Sequence, residues 1–288
     1  MPSLADHQSS EFVKLILMGD SKNGKTGSLA SLVSGGYKLR ILDFDNGLDV
    51  LRQFVLRGCP DKIGNVEFRT LRDTRKATPV GSVIDGVPRA FPDALKMLDR
   101  WKYSDVDLGV PAEWGGDTIL VIDSLTFMSD AAYDFREPLT PRGAGGKPDG
   151  RAVYGDAQEA IVHVLATLTS ASFRTNVVVI SHVDYQENTD GTKKGYPRSI
   201  GQKLSPKIPT YFNNIFRYKR SSGKLVIETV ASPMFDLANA KPFTMEKEYP
   251  IEAGLLTIFN HLKGAPVVIK SEPPKLTPDK ITTVVRRS

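Results

Sequence analysis

Short apolar runs punctuate this chain, at 12–18, 39–44, 66–71, 118–122 and 176–180. Each is bounded by Gly, Pro, Asn or an acid and is too short for a helix, so each predicts a strand. Phe12-Val13-Lys14-Leu15-Ile16-Leu17-Met18 and Thr118-Ile119-Leu120-Val121-Ile122 scarcely alternate, as strands covered on both faces do not. Helical spacing predicts helices between them. One covers 25–33 and stops at Gly35-Gly36; another covers 48–56 and closes near Gly58 and Pro60. Pro92 opens a third, running to about 103, and Asp156 caps a fourth whose apolar face is Ala157, Ile161, Val164, Leu165 and Leu168. A last helix covers 251–262, before Gly264. Residues 215–220 and 224–230 flank Ser221-Ser222-Gly223 as a β-hairpin. Segments 74–88, 137–153 and 184–199 predict irregular loops. Strands alternating with helices, with polar loops at strand C-termini, predict an α/β fold. Its central sheet is mostly parallel, with helices on both faces and an antiparallel hairpin at one edge.

The same pattern divides the chain into a loose N-terminus at 1–11, a domain at 12–264 and a tail at 265–288. The tail holds four prolines and five Lys/Arg against two acids, a composition that predicts disorder. At 288 residues, 40% hydrophobic and 25% charged, the chain as a whole has the make-up of an ordinary globular protein. No apolar run approaches the roughly 20 residues of a membrane helix, and the first ten residues lack the basic and apolar regions of a signal peptide. Cys59 is the single cysteine, which excludes an internal disulfide, fits a reducing cytoplasm and reads as a small packed hydrophobe. A net charge of +5 admits a nucleic-acid partner without requiring one.

Candidate chemistry begins at Gly19-Asp20-Ser21-Lys22-Asn23-Gly24-Lys25-Thr26, followed by Gly27. The pattern G-x-x-x-x-G-K-[ST] between a strand and a helix is the phosphate-binding P-loop. Its glycines let successive N–H groups turn inward onto phosphate oxygens at the positive end of a helix. Lys25 is placed to meet the β- and γ-phosphates of ATP, and the Thr26 hydroxyl to ligate Mg2+. Downstream, the strand at 118–122 runs into Asp123-Ser124. Asp123 either holds magnesium through water or caps the following helix. Asp45, beside Asn46-Gly47, reads by itself as a strand-end turn residue. Another buried strand ends in the polar pair Ser181-His182, and a His there is often hydrogen-bonded locally.

The order of these motifs resembles the RecA-like ATPases, over about residues 12–230. In that family a strand ending in acid-x-acid supplies the catalytic carboxylate, matched here by Asp43-Phe44-Asp45. A magnesium-site Asp-Ser follows, matched by Asp123-Ser124; then come a first DNA-binding loop, a helix and a polar γ-phosphate sensor, matched by 137–153, the helix from Asp156, and His182. A second DNA-binding loop matches 184–199 and leads into Gly201-Gln202-Lys203-Leu204 and the strand Phe216-Arg217-Tyr218. The chain looks most like the phage-encoded RecA-like proteins that bind or anneal single strands. The resemblance implies slow, DNA-stimulated ATP hydrolysis, because Asp45 is one methylene shorter than the family's Glu. It also implies oligomers, as filament or ring, in which Lys203, Lys207 or Lys241 of a neighbour reaches the γ-phosphate.

Cations in the two loops suit single-stranded DNA: Arg142, Lys147 and Arg151 in the first, Lys193, Lys194 and Arg198 in the second, with Tyr196 to stack on a base. Solvated loops of no consequence would look the same. Three functions therefore stand at this stage: a single-stranded-DNA-binding ATPase of recombination or annealing, an ATPase that switches protein partners, and a small-molecule kinase. Against the kinase, the chain has no arginine-rich lid segment. The tail suits either a DNA contact or docking on a single-strand-binding protein.

Overall fold

The computed structural model describes residues 11–79, 81–142, 146, 148–187 and 190–264. The expectations for 1–10, for Lys147 and for the tail at 265–288 lie outside the described residues.

β1 (Lys14–Gly19) leads into α1 (Lys25–Ser34), then β2 (Lys38–Asp43), α2 (Asp49–Gly58) and β3 (Val66–Thr70). The hairpin β4 (Arg75–Thr78) and β5 (Gly81–Ile84) precedes α3 (Ala90–Asp99), and a small hairpin of β6 (Lys102–Tyr103) and β7 (Val106–Asp107) follows it. β8 (Gly115–Asp123), α4 (Leu125–Arg136), α5 (Gly150–Thr169) and β9 (Thr175–Ser181) complete the middle of the chain. β10 (Val183–Glu187), β11 (Lys193–Pro197), β12 (Asn214–Ser221), β13 (Lys224–Glu228), β14 (Glu248–Pro250) and α6 (Ile251–Leu262) close it.

The main sheet has the order β14-β13-β12-β1-β9-β8-β2-β3. The six strands from β12 to β3 are parallel, whereas β13 and β14 add antiparallel at one edge. Alternate residues of each central strand feed two cores. Ile16, Met18, Leu120 and Ile122 pack with α3, α4 and α5; Leu15, Leu17, Ile119 and Val121 pack with α1, α2 and α6. Burial on both faces is why these strands read as unbroken apolar runs. The α/β architecture and the edge hairpin are as the sequence predicts, and Cys59 is a buried thiol.

Four local expectations are corrected. The loop at 74–88 contains the β4–β5 hairpin, and the next helix begins at Ala90 and ends at Asp99. α5 begins at Gly150, capped by Asp149, whose side chain accepts from the Arg151 N–H at 3.0 Å; Asp156 lies inside the helix. The Pro-Asp-Gly run at 148–150 has turn composition, and the cap overrides it. The segment 184–199 is largely the β10–β11 hairpin rather than irregular chain. Its apolar positions, such as Val183, Tyr185 and Tyr196, are few and set among charged residues, and packing on Phe235 holds it. β14 is too short for a pattern to reveal.

Candidate active site at the strand ends

The C-terminal ends of β1, β9, β8 and β2, neighbours in the sheet, deliver the candidate residues to one cleft. Gly19 ends β1, where a Cβ would lie 2.7 Å from the Tyr218 carbonyl oxygen of the adjacent strand, so only glycine fits. Gly24 caps α1 at φ 80°, a left-handed conformation that costs glycine least. Between them Lys22 also has positive φ, 64°. Asn23 Nδ2 donates to the Tyr218 carbonyl at 3.4 Å, and Ser28 Oγ lies 2.7 Å from the Tyr218 hydroxyl, so β12 holds the loop from behind.

Lys25 is buried, and its Nζ donates to the carbonyls of Gly19 and Asp20 at 2.7 and 2.8 Å. Burial lowers its pKa, and the carboxylates of Asp123, Asp45 and Asp20 oppose that shift. The ammonium thus ties the end of β1 to the start of α1 across the loop.

Asp123 is 1% exposed at the end of β8. Its Oδ2 accepts from the Thr26 hydroxyl at 2.8 Å, while Oδ1 is buried without a hydrogen-bond partner. Burial, and then the nearby Asp45 carboxylate, push its pKa up to about 7. A buried orphan carboxylate oxygen beside a hydroxyl is an all-oxygen donor set of the kind magnesium takes. Thr26 and Asp123 therefore fit the ion chemically.

Asp43 and Asp45 separate into different tasks. Asp43 is buried and accepts from the backbone of Asn46 at 2.8 Å, from that of Gly47 at 3.4 Å and from the Thr70 hydroxyl at 3.1 Å, so it builds the turn. Burial raises its pKa. Asp45 faces the cleft: Oδ1 accepts from Ser124 Oγ at 2.7 Å, and Oδ2 lies 3.6 Å from His182 Nε2. The backbone N–H of His182 donates to Thr126 Oγ1 at 3.1 Å, and its ring meets Phe127 edge-on at 5.9 Å.

The loop residues are placed less uniformly. Arg198 is exposed, and its backbone N–H donates to the His182 carbonyl at 2.8 Å, tying the end of the β10–β11 hairpin to the cleft. Lys193 is exposed, Tyr196 half-buried, and Lys194 is ion-paired with Asp236 at 2.7 Å. Arg142 donates to the Gly146 carbonyl at 3.2 Å, and Arg151 stands in the first turn of α5. Beyond the two segments, Gln158 of α5 donates to the Ile200 carbonyl at 3.0 Å. Lys203 and Lys207 are exposed and Lys241 is half-buried.

The sequence pattern marks Ser124 only as the neighbour of Asp123, and gives no sign of Thr126 or Phe127 in the cleft, nor of Arg72, whose Nη1 donates to the Asp45 carbonyl at 3.1 Å. Their one signal is proximity in sequence to Asp123 and to the third strand; their contacts are set by the fold.

A phosphate-loop cradle, an acid pair at adjacent strand ends and a two-faced parallel sheet define a P-loop ATPase domain. The chain belongs to the AAA domain family, whose pattern residues 11–239 match. No curated protein matches it. Among solved structures it is similar to an ATPase from the type III secretion system of pathogenic bacteria, at 13% identity and a TM-score of 0.39. That similarity covers 72% of this chain and 52% of the other, so the chain spans about half the length of that protein. Among the described residues no helix is long and apolar enough to cross a membrane.

Proposed function

We propose that this chain is a RecA-like ATPase, akin to phage annealing and recombination proteins, that binds single-stranded DNA and works as an oligomer. In this reading Lys25 leaves the Gly19 and Asp20 carbonyls to meet the β- and γ-phosphates of ATP. Thr26 and Asp123 would hold Mg2+, whose charge would offset that of the phosphates. Asp45, oriented by Ser124, accepts the proton of the attacking water. His182 reports the γ-phosphate to the chain that follows it. DNA lies along Lys193, Tyr196 and Arg198, with Arg142 and Arg151 extending the surface. A neighbouring subunit contributes Lys203, Lys207 or Lys241 to the cleft.

The observation that supports this reading is continuity. The β10–β11 hairpin starts one residue after His182 and returns to it through Arg198, so the cationic element and the hydrolytic residues form one unit. Lys194 is already neutralised by Asp236 and contributes less than its neighbours. Single-stranded DNA binding measured against salt tests the surface. Lys193→Ala and Arg198→Ala are each expected to flatten the log–log salt slope by about 0.7, one phosphate's worth. An unchanged slope in both would move DNA elsewhere, or leave an ATPase that switches protein partners.

A further inference from the structure

The β10–β11 hairpin is a separate two-stranded sheet, outside the main one. A lone two-stranded hairpin is marginally stable, so its anchors decide its position. One anchor is the segment after β13: Gly195 N–H donates to the Met234 carbonyl at 2.8 Å, Lys194 pairs with Asp236, and the Phe235 ring lies against Gly195 so closely that a Cβ would not fit. The other anchor is the phosphate loop itself. The Tyr185 hydroxyl donates to Asp20, at 3.2 Å from Oδ1 and 3.3 Å from Oδ2, while its ring meets Phe235 edge-on at 6.0 Å.

We propose that Tyr185 is a positioning residue: its hydroxyl latches the hairpin to Asp20 in the nucleotide-free protein, and an incoming triphosphate opens the latch. Asp20 directly follows Gly19, and its carbonyl is one of the two that hold the Lys25 ammonium. When Lys25 turns to the phosphates, that carbonyl loses its partner. At the same time the Asp20 carboxylate, whose charge acts on Lys25, meets the like charge of the phosphates that Lys25 binds. Both partners are exposed, Tyr185 by 46%, so the bond they share is weak enough to switch. The hairpin carrying Lys193 and Tyr196 then keeps its Phe235 anchor, the Gln186 Nε2 bond to the Gln202 carbonyl at 3.0 Å and the Arg198 N–H bond to the His182 carbonyl at 2.8 Å, but loses its tie to the phosphate loop, so its Tyr185 side gains freedom to move. This inference rests on the proposed binding of nucleotide at the P-loop and adds a second link between that site and the hairpin, besides His182.

Because binding and unlatching are linked, each must change the other by the same factor. If about nine-tenths of the empty protein is latched, removing the latch tightens nucleotide binding about tenfold. Trypsin reads the hairpin directly, since Lys193 and Lys194 are cleavage sites within it. The experiment measures cleavage at these lysines and the affinity for a Mg2+-bound, non-hydrolysable ATP analogue in the full chain, Tyr185→Phe and Asp20→Asn. Tyr185→Phe keeps the ring packed on Phe235 and removes only the hydroxyl. In the unaltered protein, saturating analogue is expected to accelerate cleavage about tenfold. Tyr185→Phe is expected to be cleaved at the fast rate without nucleotide and to bind the analogue about tenfold tighter, a gain that simple loss of structure would not produce. Asp20→Asn keeps an acceptor without the charge, so its hairpin is expected to stay protected when the analogue is bound. Two results overturn the latch: a bound analogue that leaves cleavage unchanged, or a Tyr185→Phe protein that matches the unaltered one in both cleavage and affinity. Failure of the unaltered protein to bind the analogue would overturn the nucleotide reading itself, and the latch with it.

Discussion

Two carboxylates share the cleft, and their surroundings set them apart. Asp45 is oriented by Ser124 and His182 and stays open to the cleft, whereas Asp123 is buried against Thr26 with one oxygen unpaired. Asp45→Asn is therefore expected to lower ATP turnover about 100-fold or more, the scale of a lost general base, while nucleotide affinity is retained. Normal turnover in single-turnover kinetics would assign the base elsewhere. Asp123 makes a pH prediction. Its pKa rises to about 7 in the folded, empty protein, against about 3.9 unfolded. A raised carboxyl contributes stability that is fully present below the unfolded value and is lost as pH climbs through the folded one. Denaturation of the empty protein at about pH 5 and about pH 8 should show this loss, and Asp123→Asn should remove that component. An identical pH dependence in the variant would contradict the assignment. The same carboxyl must lose its proton to take magnesium, so Mg2+ affinity should improve up to about pH 7. At this scale Gly19, Gly24, Lys25 and Thr26 stand out in the sequence because their spacing is local and fixed, and Asp123 because it ends a buried apolar run. The separate duties of Asp43 and Asp45 do not, since Thr70 and Ser124 reach them only after β2 pairs with β3 and β8.

Elements differed in legibility for a physical reason. Strands buried on both faces, β1, β8 and β9, leave an apolar run that no surface segment imitates. The hairpins β4–β5 and β10–β11 have strands of only four or five residues with scattered apolar positions, and leave no such run. What fixes β10–β11 is Phe235, fully buried about forty residues downstream, which touches Gly195 and Tyr185 and carries the Arg217 guanidinium 3.7 Å from its ring centre. Truncating it removes a core aromatic, a cation–π partner and the hairpin's main anchor together. Phe235→Ala should cost about 3–5 kcal/mol in chemical denaturation, and trypsin should cleave at Lys193 and Lys194 before global unfolding. A loss below about 1 kcal/mol would mean that the site collapses around the gap and the hairpin is held elsewhere.

For the whole molecule, one parallel sheet sets every distance that matters. It places the phosphate loop, the two acids and His182 along four adjacent strand ends, and it sends the chain from His182 straight into the cationic hairpin. This arrangement was readable as an order of motifs, because topology follows from the alternation of strands and helices. The hairpin's docking onto the phosphate loop was not, because it depends on a single tyrosine meeting a distant aspartate. The central claim is that this cleft hydrolyses ATP and that DNA on the hairpin governs the rate. The direct measurement is steady-state ATP turnover with and without saturating single-stranded DNA, with Lys25→Ala as the control for the cleft. The account predicts slow turnover alone, a severalfold rise with DNA, and no turnover in Lys25→Ala under either condition. A rate that depends on Lys25 but is the same with and without saturating DNA would contradict it.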